Sequence, residues 1–164
     1  MSVTIATQSF KATRDFGSQL AKFLRPGDML AIIGELGAGK TQLVTGIAAG
    51  LGLNTEDVAS PTYVLLHEYA APDASGMGLI HIDAYRIHSL DDLESMGWDD
   101  LPAILNRCVV AVEWADRVES ELPTDYLGIT MRHQGEHERM IELVGHGQWQ
   151  TRLDEAKLID RMMQ

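Results

Sequence analysis

The sequence predicts an α/β fold in which helices flank a mostly parallel sheet, with an antiparallel hairpin near its C-terminal end. Three observations carry that expectation. Residues 29–33 and 108–112 are continuous apolar runs, the pattern of strands buried on both faces. Stretches with helical spacing alternate with strand-like stretches along the chain. Two late segments with period-2 alternation flank a polar turn, as hairpin strands do.

The elements follow in order. Residues 3–5 suit a short edge strand. Thr13 is placed to cap a first helix whose Phe16, Leu20, Phe23 and Leu24 share one face, and the Pro26-Gly27-Asp28 turn ends it. Strand 29–33 leads into glycine-rich sequence, then a helix over about 40–51 that Gly52 closes. After Ser60-Pro61, residues 63–69 read as a strand, 71–78 as a surface turn and 79–83 as another short strand. Ser89 caps a helix carrying Leu90, Leu93 and Met96. Strand 108–112 follows, then the hairpin 126–132 and 140–144 around the turn 133–138. In the tail 150–163, Leu153, Ala156, Ile159 and Met163 fall at helical spacing. No repeat or long linker interrupts the chain, so 1–164 is expected to form one domain.

Charge narrows the function. The 164 residues include 13 Lys and Arg against 24 Asp and Glu, a formal charge of −11. Such a surface is ill suited to coating phosphates, which leaves contact with nucleic acid through a partner open. A lone cysteine excludes an internal disulfide. The first residues lack the apolar core of a signal peptide, and no apolar run approaches the ~20 residues of a membrane span. A cytoplasmic protein without membrane contact is the expectation.

Gly34-Glu35-Leu36-Gly37-Ala38-Gly39-Lys40-Thr41 fits the phosphate-binding loop: glycine, four residues, glycine, lysine, threonine. A loop that wraps a triphosphate turns backbone N–H groups inward, in conformations that glycine adopts cheaply. The next helix points its positive N-terminus at the phosphates. Lys40 would reach the β- and γ-phosphates, and Thr41 would place its hydroxyl on magnesium. An apolar strand before the loop and an apolar helix after it supply the setting the motif requires. A nucleotide with Mg²⁺ is therefore the expected ligand, and ATP where the guanine-reading signal is missing.

Such a site also needs an acid at the end of a neighbouring buried strand. Glu113 follows 109–112, and Asp83 follows a strand interrupted by His81. Hydrophobic context favours Glu113 for magnesium, directly or through water, with Asp83 orienting water; which acid touches the metal stays open. Thr62, in Ser60-Pro61-Thr62-Tyr63, reads equally as a switch-like threonine or as part of a proline turn. Trp114 is core cover or a shield for the site. His133, His137 and His146 lack the spacing of zinc ligands. None of the four lysines lies in the Asn-Lys-x-Asp sequence that reads guanine. Few arginines fall where a kinase lid would carry them. A small-molecule kinase and a nucleotide-gated binding module stand as alternatives to an ATPase.

The loop GELGAGKT, the segments SPTY and HIDAYR, and Glu113-Trp114 occur in that order. In this the chain resembles the TsaE family, formerly YjeE, of tRNA threonylcarbamoyladenosine biosynthesis ATPases, over about residues 13–145. Glu35 and Gln42 depart from the commonest family pattern, without removing a phosphate or magnesium ligand. The resemblance implies an ATPase attached to a TsaB–TsaD heterodimer, resetting it between cycles, with tRNA handled by those partners. It implies that Gly37, Ala38, Gly39, Lys40, Thr41 and Gln42 hold the phosphates, and that Thr41 and Glu113 coordinate magnesium. Asp83 would support hydrolysis with Lys40 and the switch-like Thr62. Trp114 would line the site, and Thr13 and Arg139 would contact the adenosine. With no arginine clearly placed for the transition state, hydrolysis is expected to be slow without the partners.

Overall fold

Burial patterns along the strands explain the sheet. In the computed structural model, which describes residues 2–56, 58 and 66–155, seven strands run in the order β1-β7-β6-β2-β5-β4-β3. β2 (Met29–Gly34), β4 (Gly78–Asp83) and β5 (Cys108–Glu113) are buried almost throughout. They belong to the parallel part of the sheet, where β4, β5, β2 and β6 (Leu127–His133) pair in parallel. β1 (Ser2–Thr7), β6 and β7 (Arg139–Gly145) alternate buried and more exposed residues. β7 pairs antiparallel with both β6 and β1, and β3 (Leu66–Tyr69) pairs antiparallel with β4 at the other edge. The sheet is thus parallel at its core and antiparallel at its flanks, as coverage on both faces or on one face dictates.

Two apolar layers sandwich the sheet. On one face, α1 (Phe10–Ala21) and α2 (Lys40–Gly50) pack with Leu30, Ile32, Leu79, Val109 and Ala111. On the other, Ala31, Ile80, Ile82, Val110 and Val112 meet Leu93 of α3 (Leu90–Ser95) and Leu101 of α4 (Leu101–Ile104). α1 and α2 touch backbone to backbone. A Cβ on Gly17 would lie 2.5 Å from the Leu43 carbonyl oxygen, so only glycine permits this crossing. α5 (Gln148–Glu155) is tied to the start of β2 by Arg152, which donates to both carboxylate oxygens of Asp28 at 2.5 and 2.9 Å.

The elements depart from the sequence reading in three places that matter here, besides shifts of a few residues at other ends. β1 runs over Ser2–Thr7, because pairing with β7 extends it beyond the apolar core of the strand. Ser9, not Thr13, caps α1: its Oγ accepts from the Ala12 N–H at 3.0 Å, and Thr13 lies inside the helix. α4 is a further short helix with Pro102 in its first turn. Ser89 caps α3 as expected, in a reciprocal capping box with Asp92. Thr62 and the tail residues Ala156, Ile159 and Met163 lie outside the described residues. Among the described residues no helix is long and apolar enough to cross a membrane.

Candidate nucleotide-binding site

The site forms where β2 gives way to α2. Gly37 and Gly39 have φ of 76° and 96°, the left-handed region that costs other residues about 1–2 kcal/mol. Gly39 caps α2 without a side-chain bond, leaving the first-turn amides uncapped and suited to an anion. Gln42 is half-buried in that first turn.

Arg139, at the start of β7, is 2% exposed and grips the loop. Its Nε donates to the Ala38 carbonyl at 2.9 Å and its Nη2 to that of Gly37 at 3.2 Å. Nη1 reaches the hairpin-turn carbonyls of Gly135, Glu136 and Glu138 at 3.3, 3.2 and 2.9 Å. In a trans peptide the N–H lies opposite its carbonyl. Holding the Ala38 carbonyl on Arg139 therefore turns the Gly39 N–H to the other side of the loop. Phe10 lies against the guanidinium at 5.1 Å. Thr13 is fully buried, with its hydroxyl 2.8 Å from that of Thr7, which stands opposite Arg139 in the β1–β7 register.

Lys40 is 5% exposed, and its Nζ donates to the carbonyls of Gly34 and Glu35 at 2.7 and 2.9 Å. The ammonium also lies 3.9 Å from the centre of the Trp114 ring. Burial lowers its pKa below the ordinary lysine value, while Glu113, Asp83 and Asp116 pull it back up. The folded chain thus holds this proton less tightly than the unfolded chain does. Stability from this group rises with pH between the lowered pKa and the ordinary value of 10.5. Lys40→Met is therefore expected to unfold at or above the wild-type temperature at pH 7. Its advantage should shrink as pH approaches the ordinary lysine value, in thermal melts of both proteins. A variant less stable at pH 7 would show that the carbonyl bonds outweigh the burial penalty.

On β4 and β5, alternate residues face the α1–α2 layer, which puts His81, Asp83 and Glu113 on the side of Thr41. Glu113 is 2% exposed. Its Oε1 accepts from the Thr41 hydroxyl at 3.0 Å and lies 2.8 Å from His81 Nε2. Asp83 stands opposite Glu113 in the parallel register, and its Oδ1 accepts from the Tyr85 N–H at 2.9 Å. Among the described residues no three His, Cys, Asp or Glu side chains converge on one point. The hydroxyl–carboxylate pair instead matches the sparse protein coordination that magnesium takes beside phosphates.

Trp114 has φ 57° and ψ 40°, the one positive φ outside glycine among the described residues. Such backbone costs on the order of 1–3 kcal/mol and concentrates at functional sites. Tyr85 lies 4.9 Å from the Trp114 ring, and the Arg117 guanidinium lies 4.9 Å from the Tyr85 ring. A cavity of about 580 Å³ opens beside the loop, lined by Gly34, Glu35, Trp114, Asp116, Arg132 and His133 among others.

The structure therefore gathers Gly37, Ala38, Gly39, Lys40, Thr41, Gln42, Asp83, Glu113, Trp114 and Arg139 around one loop. Sequence reasoning noted His81 only as an interruption and missed its role beside Glu113, along with Asp116 and the Tyr85–Arg117 shelf. The alternation Leu79-Ile80-His81-Ile82-Asp83 held a signal for the first, since it puts His81 on the face of Asp83. Asp116 and Arg117 reach the site through the Trp114 turn, which carries no pattern.

The family model for threonylcarbamoyl adenosine biosynthesis protein TsaE matches residues 7–141. The tRNA threonylcarbamoyladenosine biosynthesis protein TsaE of Bacillus subtilis is 37% identical over 82% of this chain and 80% of its own length. The protein of that name from Streptomyces coelicolor is 42% identical over 70% of this chain and 74% of its own. A crystal structure of Bacillus subtilis YdiB superposes with a TM-score of 0.75 at 30% identity, covering 98% of this chain and 97% of that one. With its glycine loop, Thr41–Glu113 pair and α/β sheet accounted for, the chain belongs to the TsaE family of tRNA threonylcarbamoyladenosine biosynthesis.

Proposed function

We propose that this protein binds and hydrolyses ATP with magnesium, in the cytoplasm, as the ATPase that supports turnover of a TsaB–TsaD complex in tRNA modification. The observation that carries the reading is the Thr41–Glu113 contact beneath a loop held open by left-handed glycines. Backbone amides 37–42 and Lys40 would neutralise the phosphates, and Thr41 and Glu113 would hold the metal. Magnesium would add charge neutralisation of the developing transition state. Lys40 exchanges its loop carbonyls for phosphate oxygens at little electrostatic cost, since it is already desolvated. Asp83, capped onto Tyr85 N–H, orients the attacking water. Thr13 and Arg139 border the adenosine end, and Thr62 would serve as the switch-like threonine. The net charge of −11 agrees with tRNA being handled by partners.

Arg139 is committed to backbone carbonyls and Arg117 rests over the aromatic shelf, so neither is already aimed at a transferring phosphate. A partner-supplied cation is worth about 10³–10⁵ in rate where one is used. Hydrolysis by the purified chain is therefore expected to be slow and to rise by orders of magnitude with TsaB and TsaD. Equal rates with and without them would contradict the partnership. The cavity bearing Arg132 and His133 favours one second reading, transfer of phosphate to a small acceptor. A metabolite screen for ADP release that needs the acceptor tests it.

A further inference from the structure

Position 81 breaks the apolar run of β4 before Asp83 with a fully buried histidine. Burying an imidazole between packed layers is unfavourable unless its polar atoms are used. Only one of them is. Nε2 lies 2.8 Å from Glu113 Oε1, whereas Nδ1 is buried with no hydrogen-bond partner among the described residues. A fold that needed only volume here would place leucine or phenylalanine, which bring no polar atom into the sheet. What the histidine supplies is a single donor aimed at one carboxylate oxygen. Nε2 is the donor in this pair, because an ionised carboxylate oxygen can only accept.

The same oxygen also accepts from Thr41, so two donors converge on Oε1 from two elements, β4 and α2. Two bonds to one oxygen fix the carboxylate's rotation and direct its second oxygen elsewhere. We infer that His81 is a positioning residue: it locks the Glu113 carboxylate in the orientation that receives the divalent ion. The inference rests on the reading of Glu113 as a metal ligand. It assigns to His81 no contact with nucleotide or metal.

The test measures Mn²⁺ binding by electron paramagnetic resonance in the presence of saturating non-hydrolysable ATP analogue. Nucleotide affinity in EDTA and thermal stability serve as parallel readouts. His81→Leu fills the site without the donor, and His81→Gln returns an N–H near the position of Nε2. Outer-sphere partners of metal ligands typically contribute about 10–100-fold in metal affinity. H81L is expected to weaken Mn²⁺ binding by that factor, with melting temperature and metal-free nucleotide affinity near wild type. H81Q should recover most of the loss. Adding H81L to Glu113→Gln should cost nothing further, because His81 acts through that carboxylate. Wild-type Mn²⁺ affinity in H81L, or a full additive loss in the double variant, would overturn the inference alone. Wild-type affinity in E113Q would overturn the metal reading and this inference together.

Discussion

Glu113→Gln is expected to lower magnesium-dependent ATP hydrolysis by about 10²–10³-fold, the scale on which one preorganised electrostatic group acts at a reacting centre. The substitution keeps the shape of the side chain, and so keeps the packing of β5 against α2. It removes the negative charge that faces the Thr41 hydroxyl and that supports the charged form of the buried Lys40. A neutral amide is a poor ligand for a hard divalent cation. Nucleotide affinity measured in EDTA should stay close to wild type, because the loop amides are untouched. Rate profiles against magnesium concentration, at saturating ATP, separate the two effects. Hydrolysis within a few-fold of wild type would remove Glu113 from the site's chemistry and shift attention to Asp83.

Arg139→Ala carries the second large effect, and it acts on fold and site together. The guanidinium is buried and satisfies five backbone carbonyls drawn from the phosphate loop and the hairpin turn. Truncation leaves a cavity and strips most of those carbonyls of their donors, Glu138 keeping the Gln134 N–H, so stability should fall by about 2–5 kcal/mol in denaturant unfolding. Affinity for ATP should fall more than about tenfold, as expected when a loop's orientation is no longer fixed. Arg139→Lys should not rescue, since an ammonium lacks the planar fork that spans both segments. Inorganic tripolyphosphate makes the distinction that matters. If Arg139 acts by holding the loop, tripolyphosphate binding falls along with ATP binding. If it serves only the adenosine end, tripolyphosphate binding is unchanged.

The buried strands were legible because both their faces are covered, which turns them into unbroken apolar runs such as 108–112. The phosphate loop was legible because its backbone demands glycine at fixed positions. The cap of α1 was not. Ser9 and Thr13 are both good capping residues, and only pairing of β1 with β7 decides where the strand stops and the helix starts. Glu113 and Asp83 were visible as strand-end acids, yet their relation was not, because register between β4 and β5 is a property of the sheet. Arg139 lies far along the chain from the loop it grips, and nothing local marks its partners. His81 was legible as an anomaly and illegible as a donor, since its meaning depends on which residue faces it across the strands.

The central claim is that the glycine loop, Lys40, Thr41 and Glu113 form a magnesium–ATP site. Calorimetric titration of ATP into the purified chain, with magnesium and then with EDTA, tests it most directly. Saturable binding of one nucleotide per chain, tightened by magnesium, is the expected result. No saturable binding in either condition, or binding indifferent to magnesium, would contradict the account.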